Sequence, residues 1–260
     1  MLIKRKSIEQ AESSRRPTRK PKFAPVTLSE QDGVRYLHFG TEWVQGAMRI
    51  RKPDWPELEY AQQMMAWMLF IAQPQAIAQL GLGAATLTKF CYRQFPESTV
   101  TAVELNEAVI GIAASMFKLP PVDERLNVLE MDAMDFVLDP ANQGAFDVLQ
   151  CDLYDATARG PVLDTPEFYQ ACNACLADGG IMTVNLFGDH PSFAKNIKAM
   201  KFAFDHVICL PEVHEGNVVA LCFRDRPTLD KDALAARAAQ IVADTKLPAK
   251  SWVKGIFAAD

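Results

Sequence analysis

Ile77-Ala78-Gln79-Leu80-Gly81-Leu82-Gly83-Ala84-Ala85-Thr86 is the stretch from which the architecture can be read. A short apolar run meets a tight glycine turn, and a helical pattern follows from Thr86 to Phe95. An apolar run bounded by turn signals reads as a buried strand, and glycines let its backbone turn sharply into a helix. The same alternation continues downstream. Val100–Val103, Leu126–Leu129, Asp147–Cys151 and Gly180–Asn185 read as strands, with helices over Asn106–Phe117 and Phe168–Ala177. Strands alternating with helices predict an α/β fold with a parallel, doubly wound, Rossmann-like sheet. The end differs. His206–Leu210 and Val218–Phe223 are apolar runs whose link holds Glu215-Gly216-Asn217 and no helix, and so short a link can only join antiparallel neighbours.

Four segments follow from this pattern. Residues 1–24 hold eight Lys/Arg against two Glu and few apolar side chains, which predicts a disordered basic tail. Residues 25–56 read as a small N-terminal β appendage, with strands over Val34–Phe39 and Ala47–Arg51. Residues 57–228 form the Rossmann-like catalytic domain, entered by a helix over Leu58–Phe70, and 229–260 a C-terminal helical tail with a surface helix over Asp230–Asp244.

Composition excludes several classes. Apolar residues make up 49% of 260, enough for a globular core. No run approaches the roughly 20 apolar residues that span a bilayer, so no membrane partner is expected. With the tail at +6 and the chain at −5, the body carries −11. An acidic body disfavours nucleic acid and attracts small cations. The six cysteines sit in or beside apolar segments and read as reduced core thiols of a cytoplasmic protein. Cys172 and Cys175 lie in a helical pattern without a second pair or a nearby histidine, so packing is expected there and no metal.

In an open α/β sheet, ligands bind where the strands end. Gly81 and Gly83 open a helix, where backbone amides can approach a ligand closely. Glu104 ends the second strand, 21 residues past Gly83, a position suited to accepting two ribose hydroxyls. Asp132 follows the third strand, where an acceptor could meet an adenine amino group. Asp152 and Asp155 follow the fourth. That pair could hold a cationic group and take its proton, and it equally fits a turn cap beside a solvated acid. The third glycine of the dinucleotide fingerprint is missing, which disfavours a nicotinamide enzyme.

Val103-Glu104-Leu105-Asn106-Glu107-Ala108-Val109-Ile110, Met131-Asp132-Ala133, Asp152-Leu153-Tyr154-Asp155 and Thr165-Pro166-Glu167-Phe168-Tyr169 together resemble the spermidine synthase (polyamine aminopropyltransferase) family. The match runs from about Gln45 to Phe223, and the terminal hairpin resembles the class I S-adenosylmethionine-dependent transferase fold. The resemblance implies transfer of a 3-aminopropyl group from decarboxylated S-adenosylmethionine to a diamine such as putrescine. The nucleoside would be a co-substrate, with no tightly bound cofactor; the substrate would be a small polyamine, and homodimerisation is common in the family. It implies Asp152 as base, with Asp155, Tyr60 and Gln45 at the amine, and Gly81, Gly83, Glu104, Asp132, Ala133 and Asp152 at the donor.

The chain departs from the family at four places. Tyr60-Ala61-Gln62 replaces Tyr-His-Glu, Ala84 replaces the aspartate that would pair with the donor's ammonium, Leu153-Tyr154 replaces Ser-Ser, and Ala156 replaces the proline after the second aspartate. Asp164, Glu167 and Glu215 are candidate substitutes for the lost acids. The departures keep open a methyltransferase using S-adenosylmethionine, or a non-catalytic homologue that binds a nucleoside or a partner.

Overall fold

The computed structural model describes residues 23–155, 160–213 and 216–259. Most of the basic tail, Ala156 and Glu215 lie outside the described residues. The described chain starts in a three-stranded antiparallel sheet, β1 (Val26–Gln31), β2 (Val34–Phe39) and β3 (Gly46–Arg49). Asp32 and Gly33, both at positive φ, close the β1–β2 hairpin, and an Asp-Gly pair suits the two-residue turn whose twist matches that of the strands. β1 was not expected from the sequence, because its outward residues make most of it polar.

The predicted helix over Leu58–Phe70 divides into α1 (Glu59–Gln63) and a fully buried 3-10 turn, Met64–Leu69. The main sheet then begins. β4 (Ala76–Leu80), α2 (Thr86–Gln94), β5 (Thr99–Glu104), α3 (Glu107–Met116), β6 (Leu126–Glu130), α4 (Ala133–Leu138) and β7 (Phe146–Cys151) alternate along the chain. α5 (Pro166–Cys175) runs directly into β8 (Leu176–Phe187), longer than predicted at both ends. Then come α6 (Phe193–Ala203), β9 (His206–Cys209), β10 (Asn217–Phe223), α7 (Lys231–Thr245) and α8 (Ala249–Ala259).

The sheet order is β6-β5-β4-β7-β8-β10-β9. Pairs from β6 to β8 are parallel, whereas β10 runs antiparallel to both β8 and β9. The expected hairpin is therefore present, with its second strand inserted between β8 and β9. Chain order reverses between β4 and β7, which opens the crevice where such sheets bind ligands.

Strand alternation divides the core between two faces. Ile77, Val100, Val148 and Ile181 pack on one face with Trp67, Phe90 and Trp252. Ala78, Leu149, Met182 and Cys222 pack on the other with Phe136, Phe168 and Met200. The tail after residue 229 has two helices rather than one surface helix. Leu234, Ile241, Trp252 and Ile256 bury their apolar stripes in the first core. Leu37, Met48, Ala84 and Phe117 fasten the N-terminal sheet to the body. Cys91, Cys151, Cys172, Cys175 and Cys222 are buried free thiols. Among the described residues no helix is long and apolar enough to cross a membrane, and no acid, Cys or His cluster could hold a metal ion.

Lys89 of α2 is fully buried, and its Nζ donates to the Phe117 carbonyl at 2.6 Å, at the C-cap of α3. Burial draws its pKa down to about 8, with Asp54 acting in the opposite sense. In the unfolded chain the ordinary value is about 10.4. Between those values the unfolded state holds the extra proton, so this lysine makes stability rise with pH from about 8 to about 10. Lys89→Met is expected to flatten that part of a plot of urea midpoint against pH. Identical slopes for the two proteins would rule the effect out.

Candidate active site

The strand ends converge on one cavity of about 690 Å³. Gly81 and Gly83 after β4, Glu104 ending β5, and Asp132 and Ala133 after β6 form one side. Asp152 and Asp155 after β7 form the other, joined by Tyr60 from α1 and Gln45 from just before β3. The nine positions picked from the sequence thus line a single space.

Backbone geometry makes the glycine turn specific. Gly81 has φ +91°, its amide donates to Val103, and a Cβ there would lie 2.3 Å from the Asp152 carbonyl oxygen. Asp152 returns the link by donating its own amide to Leu80 at 2.9 Å. The bare Cα of Gly81 therefore lets the ends of β4 and β7 close up on each other. Gly83, at φ +50°, passes beneath the Gln45 carbonyl.

Glu104 spans the turn. Its Oε2 accepts from Leu82 N at 3.1 Å and its Oε1 from Asn106 N at 2.9 Å. These bonds set the carboxylate at the cavity wall and leave it lone pairs for further donors. Burial pushes its pKa up, against the backbone hydrogen bonds. Capping of α3 falls instead to Asn106, whose Oδ1 accepts from Ala108 N. Asp132 caps α4, accepting from Met134 N at 2.7 Å.

Asp152 is held at both oxygens. Asn185 Nδ2 donates to Oδ1 at 2.9 Å, and Tyr60 OH donates to Oδ2 at 3.3 Å. Burial raises its pKa, and those two donors offset part of the rise. Asn185, 1% exposed, accepts in turn from Asn217 Nδ2 at 3.0 Å, and the same Nδ2 lies 3.4 Å from Tyr154 OH. Asp155 lines the cavity too, and its carbonyl accepts from Gln45 Nε2 at 3.3 Å.

Asn185, Asn217 and Tyr154 were not singled out as site residues. A signal for the first two exists: an amide side chain inside an apolar strand needs a partner. Glu42 was also missed and lines the cavity. Of the proposed substitute acids, Asp164 is buried against Lys195 at 2.8 Å, and Glu167 is exposed in the first turn of α5; neither lines the cavity. Gln62 donates to the Pro56 carbonyl rather than into the site. Ala84 packs under β3, where a Cβ on Gly46 would lie 2.7 Å from the Ala84 Cβ. Position 84 is thus covered by the N-terminal sheet.

Charge in the cavity has one sign. Glu42, Glu104, Asp132, Asp152 and Asp155 line it, and among the described residues no Lys, Arg or His does. Its mouth carries exposed apolar side chains, including Trp43, Val44, Leu105 and Val162. Apolar side chains together with a set of acids suit a ligand with both an aromatic part and a cationic part.

A seven-stranded sheet with this order, a glycine turn after β4 and acids at the next strand ends define a methyltransferase-like α/β protein. The spermine/spermidine synthase domain matches residues 83–228. The polyamine aminopropyltransferase of Chromobacterium violaceum is 30% identical over 218 residues, covering 83% of each chain. That of Neisseria meningitidis serogroup B is 30% identical over 207 residues, or 79% of this chain and 78% of the relative. In three dimensions the chain is similar to a probable spermidine synthase from Corynebacterium glutamicum, with TM-score 0.70 and 20% identity over 89% of this chain and 91% of the other. The chain belongs to the spermine/spermidine synthase family.

Proposed function

We propose that the protein transfers a 3-aminopropyl group from decarboxylated S-adenosylmethionine to a diamine such as putrescine, as a cytoplasmic enzyme. The observation that carries this reading is the cavity's charge: five carboxylates and, among the described residues, no cationic side chain. Both proposed substrates are cations. An undecarboxylated donor would bring its own carboxylate into an acidic site, at a cost in repulsion.

In this reading Glu104 accepts the ribose hydroxyls, Asp132 receives the adenine amino group, and the bare backbone at Gly81 and Gly83 admits the nucleoside. Asp155 and Gln45 hold the amine. The amine nitrogen attacks the propyl carbon attached to the sulfonium. The carbon–sulfur bond breaks as the carbon–nitrogen bond forms, and its electron pair neutralises the sulfur, leaving methylthioadenosine. Asp152 accepts the proton that the amine must lose, and Tyr60 orients the carboxylate. A buried base with raised proton affinity is better matched to an amine than a fully solvated one.

Titration calorimetry tests the donor. Decarboxylated S-adenosylmethionine is expected to bind at least about tenfold more tightly than S-adenosylmethionine, a difference of about 1.4 kcal/mol. Equal affinities, or a preference for the carboxylated form, would defeat this choice of donor.

A second reading is favoured by Ala84, which removes the acid opposite the donor's ammonium. It is methyl transfer from S-adenosylmethionine on the same scaffold. Consistent with this, the human eEF1A lysine and N-terminal methyltransferase is 26% identical over 131 residues, 45% of this chain and 18% of that protein. Product analysis with each donor separates the two chemistries.

A further inference from the structure

We infer that Asn217 is a positioning residue that sets the orientation of the Asp152 carboxylate by fixing the amide of Asn185. The inference rests on the proposed role of Asp152 as base for its catalytic consequence, but not for its geometry.

A side-chain amide has a donor end and an acceptor end, and reversing it exchanges them. Asn185 donates to Asp152 Oδ1 at 2.9 Å and accepts from Asn217 Nδ2 at 3.0 Å. Turned over, it would set its oxygen against a carboxylate oxygen and its NH2 against another NH2. Both contacts are repulsive, and Asn185 is almost wholly cut off from water. Asn217 therefore selects the one orientation in which Asn185 is a donor to Asp152. With Oδ1 tied to Asn185, Oδ2, which also accepts from Tyr60 OH, keeps a lone pair for the substrate's proton.

The strand arrangement makes this possible. β10 is antiparallel to β8, so its first residue lies at the edge where the parallel strands end. Val219 is the register partner of Asn185, and Asn217 of Phe187, so the two amides are diagonal neighbours within reach of each other. The second hydrogen of Asn217 Nδ2 faces Tyr154 OH, which ties the pair to the turn that follows Asp152. Around Asp152 the titratable groups are Tyr60 from α1, Cys151 from β7 and Tyr154 from the next turn, with Glu42, Glu104, Asp132 and Asp155 on the same cavity.

Asn217→Leu keeps a similar volume and removes both donors. Its kcat is expected to fall by about tenfold while KM for the donor stays within about twofold, since a misaligned base affects the chemical step. The acid limb of its kcat/KM profile is expected to move to higher pH, because the carboxylate loses a fixed donor. A carbon-13 NMR titration of Asp152 reads the same shift without any turnover. If the wild type turned over no amine, the enzyme reading would fail while this titration still tested Asn217. Asn217→Ser, which keeps a hydroxyl donor and puts no apolar group beside Asn185, serves should the leucine variant not fold, and is expected to shift the titration in the same direction by less. In a double-mutant cycle, Asn185→Ala is expected to make the Asn217 substitution silent. Wild-type titration curves in the Asn217 variants, or fully additive effects in the cycle, would overturn the inference.

Discussion

Asp152→Asn is expected to lower kcat by about 10³-fold, within the 10²–10⁴ range of a positioned general base, while donor affinity changes by less than about threefold. The substitution keeps size and polarity at a carboxylate that accepts from Asn185 at 2.9 Å and from Tyr60 at 3.3 Å. It removes the group that takes the proton. Folding should not suffer. Burial raises the Asp152 pKa above its unfolded value, so the ionised carboxylate weakens the fold once pH exceeds that value. A neutral asparagine removes this effect, and Tm at neutral pH is expected to be at least that of the wild type. The wild-type kcat/KM should fall as pH drops through the raised pKa, with its acid limb above the range of a solvated aspartate. Steady-state rates from pH 5 to 9 with thermal melts check both parts. An Asp152→Asn enzyme within tenfold of wild type would remove Asp152 from the proton transfer.

Gly81→Ala is expected to destabilise the protein by about 3 kcal/mol and to weaken donor binding by about 100-fold. Two effects add here. At φ +91° an L side chain is strained by about 1–2 kcal/mol. The new Cβ would also lie 2.3 Å from the Asp152 carbonyl oxygen, a backbone atom that moves only if the end of β7 moves. Such overpacking costs about 1–3 kcal/mol. Because that shift carries Asp152 away from Tyr60 and Asn185, binding and stability fall together. Gly83→Ala is the control. Its φ of +50° is milder and its nearest contact, the Gln45 carbonyl oxygen, is 3.3 Å away, so about 1 kcal/mol is expected. Urea midpoints and donor calorimetry on both variants decide this. A Gly81→Ala protein no less stable than Gly83→Ala would show that the β4–β7 approach is not what requires the glycine.

Much of the fold was open to reading because its signals are local. Ile77–Leu80 and Val100–Val103 are short apolar runs between turn residues, as central parallel strands must be when both faces are covered. β1 escaped notice because it is an edge strand with one wet face: Leu28 is exposed in part and Ser29 through Gln31 lie mostly in water. The Asp32-Gly33 pair was its available signal. α4 and α6 were not anticipated either, and within the expected helical tail the second helix, α8, was not marked out. In α8, Trp252, Val253 and Ile256 form an apolar stripe at helical spacing, but nothing local says that the stripe reaches the same core as Trp67.

The candidate site was legible in proportion to how strictly its residues follow strand ends. Gly81, Glu104 and Asp152 each stand one step beyond an apolar run and Asp132 three steps beyond, and a parallel sheet must bring such positions to one edge. By itself the amino-acid sequence determined that edge, its acids and the α/β alternation, because hydrophobic period and turn chemistry act between near neighbours in the chain. Only the tertiary structure decided that Ala84 is closed off by β3, that Asp164 is taken by Lys195, and that Asn217 reaches Asn185. Those outcomes depend on which strands lie side by side and in which direction. An antiparallel β10 between β8 and β9 puts the beginning of one strand beside the ends of the others, and a pairing of residues 32 positions apart is decided by packing, not by local pattern.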